Sequence, residues 1–222
     1  MLKVRVWDLP TRLFHWLLVA SVVALVVTGS VGGNLITWHM RLGYVVFALV
    51  VFRLVWGLLG GHWSRFATFV PTPARLLGYL SGKQSLHTVG HNPMGALSVL
   101  ALLAVLSAQV ASGLFTDDEI AFTGPLVTLA SSDTVEWLSW YHTEVGKLIM
   151  LGLITLHVSA IVFYRVVKKQ KLVQAMWSGE QDAPPPPPLE SQDNLGTRLL
   201  ALLVLFGSAC VVYFVISLGT SA

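Results

Sequence analysis

Between Trp140 and Lys169 the chain is apolar for long enough to cross a bilayer, and this one run carries two histidines, His142 and His157. A membrane helix needs about 20 apolar residues. Lipid offers the backbone no hydrogen bonds, so the run must be helical. An ionisable side chain inside such a helix is costly and marks a functional position. The two positions are fifteen residues apart. At about 100° per residue the imidazoles lie roughly 60° apart on one broad face, and about 22 Å apart along the axis. No single metal ion reaches both. Two cofactors stacked along the helix do, provided other helices bring partner ligands to the same depths.

Composition places the whole chain in the membrane. Of 222 residues 55% are hydrophobic and 11% charged, with a mean hydropathy of +0.71. A soluble domain carries about a quarter charged residues. The net charge of +3 sits mostly in loops on one side, which is a topology signal and not a nucleic-acid surface. The one cysteine, Cys210, lies in an apolar segment. The sequence has no disulfide framework, no paired-cysteine iron–sulfur or zinc pattern and no haem-attachment motif. Any haem is therefore held without a covalent link. The basic start followed by an apolar run resembles a signal peptide. It lacks a small-residue cleavage site and contains His15, so it reads as a retained first helix.

The expected fold class is all-α and polytopic, with five spans: Thr11–Ser30, Trp38–Leu59, Pro93–Phe115, Tyr141–Val167 and Leu195–Leu218. The first four form a bundle over residues 1–179. A linker, 180–194, contains the prolines Pro184–Pro188 and is expected to be an extended spacer. It leads to a C-terminal helix, 195–222, which has no histidine and reads as an anchor. Lys3, Arg5 and Arg12 precede the first span, Arg65, Arg75 and Lys83 follow the second, and Lys168, Lys169 and Lys171 follow the fourth. All fall on one side, which the positive-inside rule makes cytoplasmic. The opposite loop, Thr116–Trp140, carries Asp117, Asp118, Glu119, Asp133 and Glu136 without Lys or Arg. The N-terminus is thus expected inside and the C-terminus outside.

Depth then pairs the histidines. His15 lies near the cytoplasmic start of the first span and His39 at the outer start of the second. In the fourth span His142 is outer and His157 inner. His15 shares a depth with His157, and His39 with His142. This is the arrangement that two b-type haems with two imidazoles each require, with ligands from facing helices. A lone histidine at a helix end is as often an interfacial residue as a ligand, but two depth-matched pairs are hard to obtain by accident. A transition-metal site is the chemical alternative. Neither pair brings an obvious third ligand, and Glu144 lies on a different helical face from His142.

His62, His87 and His91 read as solvated loop histidines, with Gly90-His-Asn-Pro a helix-start motif. Haem carboxylates call for cations. Arg12, Arg53 and Arg165 are candidates on the inner side, Arg41 and Lys147 on the outer, with Arg53 foremost because it lies inside a span. Snorkelling to the interface explains each as well. Trp16, Trp38, Trp56 and Trp140, near helix ends, read as interface-belt residues.

The stretch Val6-Trp-Asp-Leu-Pro-Thr-Arg-Leu-Phe-His-Trp resembles the first-helix motif of bacterial cytochrome b561 proteins and of the cytochrome b subunits of nickel–iron hydrogenases. His39-Met-Arg-Leu-Gly-Tyr, Gly90-His-Asn-Pro, the His142 and His157 pair, and Leu172-Val-Gln-Ala-Met-Trp-Ser-Gly follow in the same order. The resemblance covers roughly residues 4–179 and departs from the family at the proline run and fifth helix. It implies a four-helix cytochrome with two haem b groups, ligated at His15, His39, His142 and His157. The expected role is electron transfer between the quinone pool and a periplasmic partner such as a c-type cytochrome. The acidic outer loop either steers a basic partner or is merely solvated. The alternatives are the membrane anchor subunit of a hydrogenase or other dehydrogenase, a stand-alone quinone or superoxide oxidoreductase, and, last, a metal transporter.

Overall fold

The computed structural model describes residues 2–82, 89–186 and 189–220. His87 and Lys83, which enter the loop readings above, lie outside the described residues. The protein is all-α, and among the described residues five helices are long and apolar enough to cross a membrane: Leu9–Val31, Gly33–Leu59, Pro93–Gly113, Ser132–Val166 and Leu195–Gly219. In chain order the elements are β1 (Leu2–Arg5), α1 (Leu9–Val31), α2 (Ile36–Leu59), α3 (Phe66–Phe69), α4 (Pro73–Leu80) and α5 (Pro93–Gly113). They continue with α6 (Ser132–Trp140), α7 (Lys147–Val166), α8 (Leu172–Ser178), β2 (Glu180–Ala183) and α9 (Leu195–Thr220). Between α6 and α7, Tyr141–Gly146 forms a π-helical turn.

The chain divides into two compact units. One comprises residues 1–14, 53–102 and 153–202, the other 15–52, 103–152 and 203–222.

The first unit is organised by the start of α1. Asp8 is fully buried and caps the helix, accepting from the Thr11 amide at 2.8 Å. The same carboxylate accepts from the Gly61 amide at 3.1 Å, Ser64 Oγ at 3.1 Å and Trp56 Nε1 at 3.4 Å. Gly61 is required there, since a Cβ would run into the Asp8 carboxylate. Trp56 is wholly buried in this cluster, which corrects the expectation of an interface-belt residue.

The same unit contains a small antiparallel sheet. β1 pairs with β2 in a register that sets Lys3 opposite Asp182 and Arg5 opposite Glu180. The alternation of Leu2, Val4 and Val6 with Lys3 and Arg5 is the strand signal. The stretch expected to be an extended spacer therefore begins as a strand. It continues with Ser191, which donates from its amide to the Arg5 carbonyl at 2.8 Å and from its hydroxyl to the Val6 carbonyl at 2.7 Å. Asp193 lies between Arg5 and Arg198, with N···O distances of 2.9 and 3.0 Å.

In the second unit the fourth span starts at Ser132 instead of Tyr141, so part of the expected outer loop is helix. Asp133 in the first turn of α6 complements the helix dipole. The preceding loop is folded on Asp118, whose Oδ1 accepts from the amides of Ile120, Ala121 and Phe122.

Candidate functional site

The second unit brings His39 and His142 together. Their ring centroids are 6.1 Å apart and their planes stand at 89°. His39 lies in the first turn of α2. Its Nδ1 is 3.0 Å from the Leu25 carbonyl and 3.5 Å from Thr28 Oγ1. A carbonyl only accepts, so Nδ1 carries the proton and Nε2 is left for a ligand. His142 is arranged in the same way on the π turn, with Nδ1 2.9 Å from the Gln109 carbonyl. Two glycines make room for the rings. A Cβ on Gly29 would stand 2.9 Å from His39 Nδ1, and one on Gly113 would stand 2.8 Å from His142 Cε1.

Both imidazoles line a cavity of about 370 Å³ with mainly apolar walls, including Leu25, Val46, Leu106 and Met150. This lies within the range of cofactor clefts. The 6.1 Å centroid spacing fits one metal atom, as in a haem, held by both rings. Two imidazoles on one metal atom, with bonds of about 2 Å and about 1 Å from each nitrogen to its ring centre, set the centroids about 6 Å apart. Among the described residues no group of three or more His, Cys, Asp or Glu gathers to hold a bare metal ion. The roughly 60° separation expected for His142 and His157 on an unbroken α-helix does not carry over, because His142 sits on a π turn, where the 3.6-residue period does not hold.

The other two candidate ligands fall in different units. His157, on α7, lies in the first, with Nδ1 3.4 Å from Ser98 Oγ. His15, on α1, lies in the second and packs edge-on to Trp16, with centroids 5.0 Å apart.

Among the cations, Lys147 lines the His39–His142 cavity. Arg41 instead lies over the exposed Trp38 ring, 5.2 Å from its centroid. Arg53 is buried, donates to the Ser64 carbonyl at 3.1 Å and sits 4.9 Å from the Phe66 centroid. Arg12 donates to the Trp177 carbonyl at 2.7 Å, with Asp193 at 3.9 Å.

His91 does not stand in solvent, as the sequence suggested. Its ring packs against Trp7 and Phe69, at 4.7 and 4.5 Å between centroids, and its Nδ1 is sealed from water. Burial and the nearby Arg53 charge push its pKa down to about 3, so the ring is neutral near pH 7. The adjacent Asn92 does cap α5, accepting from the Gly95 amide at 2.7 Å.

Sequence reasoning missed the supports of the two histidines: Gly29, Gly113 and Gln109. Their only signal is the placing of small or amide residues inside otherwise apolar spans.

The family model for prokaryotic cytochrome b561 matches residues 6–179. Three curated relatives are each called a probable Ni/Fe-hydrogenase B-type cytochrome subunit. That of Bradyrhizobium diazoefficiens is 24% identical over 80% of this chain and 85% of its own length. That of Azotobacter vinelandii is 26% identical over 79% and 87%. That of Cupriavidus necator is 24% identical over 78% and 85%. No solved structure matches the chain.

Proposed function

The chain belongs to the prokaryotic cytochrome b561 family, and we propose that this multi-pass membrane cytochrome holds two haem b groups and carries electrons across the bilayer between quinone and a redox partner. The observation that supports the reading most is the His39–His142 pair, two oriented imidazoles set 6.1 Å apart on an apolar cavity. When bound, haem b supplies a one-electron iron couple.

The chain's own residues do the rest. His39 and His142 ligate the outer group, and His15 and His157 the inner one, by the depth argument. A haem held by two of these imidazoles would favour electron transfer over oxygen chemistry. The Leu25 and Gln109 carbonyls hold the Nδ1 protons, fixing each tautomer and raising ligand basicity. Lys147 neutralises a carboxylate at the outer site. At the inner site we assign that role to Arg53 and Arg12. Arg53 has five N–H donors, and its hydrogen bond to Ser64 uses one of them. Residues 1–179 form the electron-carrying part, and the helix within 195–222 acts as an anchor. The basic loops support an N-terminus in the cytoplasm of a bacterial inner membrane and a C-terminus in the periplasm.

The partner on the outer side is a c-type cytochrome or a subunit of a redox enzyme. The relatives' names favour the second form, in which the chain is the membrane subunit of a hydrogenase or another dehydrogenase. The test uses purified protein in vesicles. Quinol on one side should reduce the b haems, and a c-type cytochrome on the other should reoxidise them. Reduction by hydrogen only when a hydrogenase co-purifies favours the subunit role. Haems that neither exchange electrons with quinol nor respond to either partner contradict the reading.

A further inference from the structure

Gln109 grips His142 at two points. Its backbone carbonyl accepts from the His142 Nδ1–H at 2.9 Å, and its side-chain Nε2 donates to the His142 carbonyl at 2.7 Å. The orientation of the amide follows from chemistry. The His142 carbonyl only accepts, so the NH2 end of Gln109 faces it. This leaves Gln109 Oε1 in a sealed position without a partner. A buried polar atom without a partner is destabilising. The arrangement thus holds a geometry that stability alone would not select.

The backbone around this amide is shaped to receive it. His142 lies on the π turn, Tyr141–Gly146, where the helix is widened. Gly146, at the end of that turn, is buried, and a Cβ there would overlap Gln109 Oε1. One helical turn along α5 from Gln109, Gly113 gives space to the imidazole edge. His39 has no such double hold. Its Nδ1 is tied to Leu25, and among the described residues no side chain grips its backbone in the same way.

We propose that Gln109 is the positioning residue of the outer ligand. It clamps the π turn so that the His142 ring keeps its azimuth and its Nδ1–H···O=C bond, and in this way it sets the potential and ligand field of the haem between His39 and His142. The inference rests on the reading that this pair binds haem.

The test compares Gln109→Leu with the unmodified full-length protein in detergent. Leu keeps the backbone carbonyl and removes the amide. The readouts are haem stoichiometry, the low-spin electron paramagnetic resonance signals and a redox titration of both haems. The expected result is one signal displaced and one midpoint potential shifted, with the other haem unchanged. Gly146→Ala crowds the amide without altering it and should move the same signal. Gln109→Leu with both signals and both potentials as in the unmodified protein overturns the proposal, as does an equal shift in both haems. Should Gln109→Leu fail to accumulate, Gly146→Ala carries the same two outcomes by itself. His142→Ala separates the two levels of the argument. If it leaves haem content intact, the haem reading itself fails. If it removes one haem while Gln109→Leu is silent, only the positioning role fails.

Discussion

His39 and His142 stand edge to face, with centroids 6.1 Å apart, and each ring is tied through Nδ1 to a carbonyl of a neighbouring helix. The carbonyls come from Leu25 on α1 and Gln109 on α5. Four helical segments therefore meet at one histidine pair, and the pair is sensitive to changes well outside its own side chains.

The two glycines beside the rings give the first prediction. Gly29→Val and Gly113→Val put branched carbons where His39 and His142 now lie. Each should displace an imidazole and weaken the outer haem. Changes to the supports of a metal ligand cost roughly 10–100-fold in affinity. Haem-to-protein ratio after gel filtration should fall toward one while the protein remains folded. Full retention of both haems in the two variants would show that the rings are not confined in this way.

Asp8 holds the first unit together. Asp8→Ala removes the α1 cap and deletes the carboxylate that accepts from the Gly61 amide, Ser64 hydroxyl and Trp56 indole. A lost cap together with lost buried hydrogen bonds corresponds to about 3 kcal/mol. Thermal unfolding in detergent should show a clear drop in Tm. Asp8→Asn keeps an acceptor oxygen and should fall between the two.

The Asp193 anchor carries a pH signature. Burial opposes the charged form, but hydrogen bonds from Arg198 and Arg5, with their charges, outweigh it and hold the carboxyl below its ordinary value of 3.8. A group with a depressed folded pKa contributes stability above its unfolded pKa and loses it as pH falls through the folded value. The stability difference between wild type and Asp193→Asn should therefore be constant from neutral pH to about 4 and shrink below that. A difference that vanishes already at pH 6 would mean that another group titrates there.

The acidic loop offers a test of partner steering. Asp118 anchors its loop through the amides of Phe122, Ala121 and Ile120, and these bonds pull its pKa down, so it is charged throughout the physiological range. Asp118→Asn keeps an oxygen for those amides and removes only the charge. Combined with Asp117→Asn, it should slow electron transfer to a basic cytochrome and flatten the salt dependence. A rate indifferent to both salt and the substitutions identifies the loop as solvated surface.

Much of this was legible in the sequence because membrane helices obey few rules. Apolar length locates the spans, and the direction of each span puts His39 and His142 at one depth. The residues that the sequence did not disclose obey longer-range chemistry. Trp56 looks like a belt residue until the buried Asp8 carboxylate claims its indole N–H. His91 looks solvated until Trp7 and Phe69 close over it. The π turn at His142 depends on an amide from α5 and on Gly146, neither of which departs from an ordinary apolar span pattern. The strand after Ser178 was hidden by the prolines that follow it, although Glu180 and Asp182 alternate to match Arg5 and Lys3.

The most direct measurement is haem stoichiometry by pyridine haemochrome, with a reduced-minus-oxidised spectrum, for the wild type beside His39→Ala and His142→Ala. The account predicts two b haems in the wild type, with each variant losing the same one and leaving the spectrum of the other intact. One haem in the wild type, or two haems retained in both variants, would contradict it.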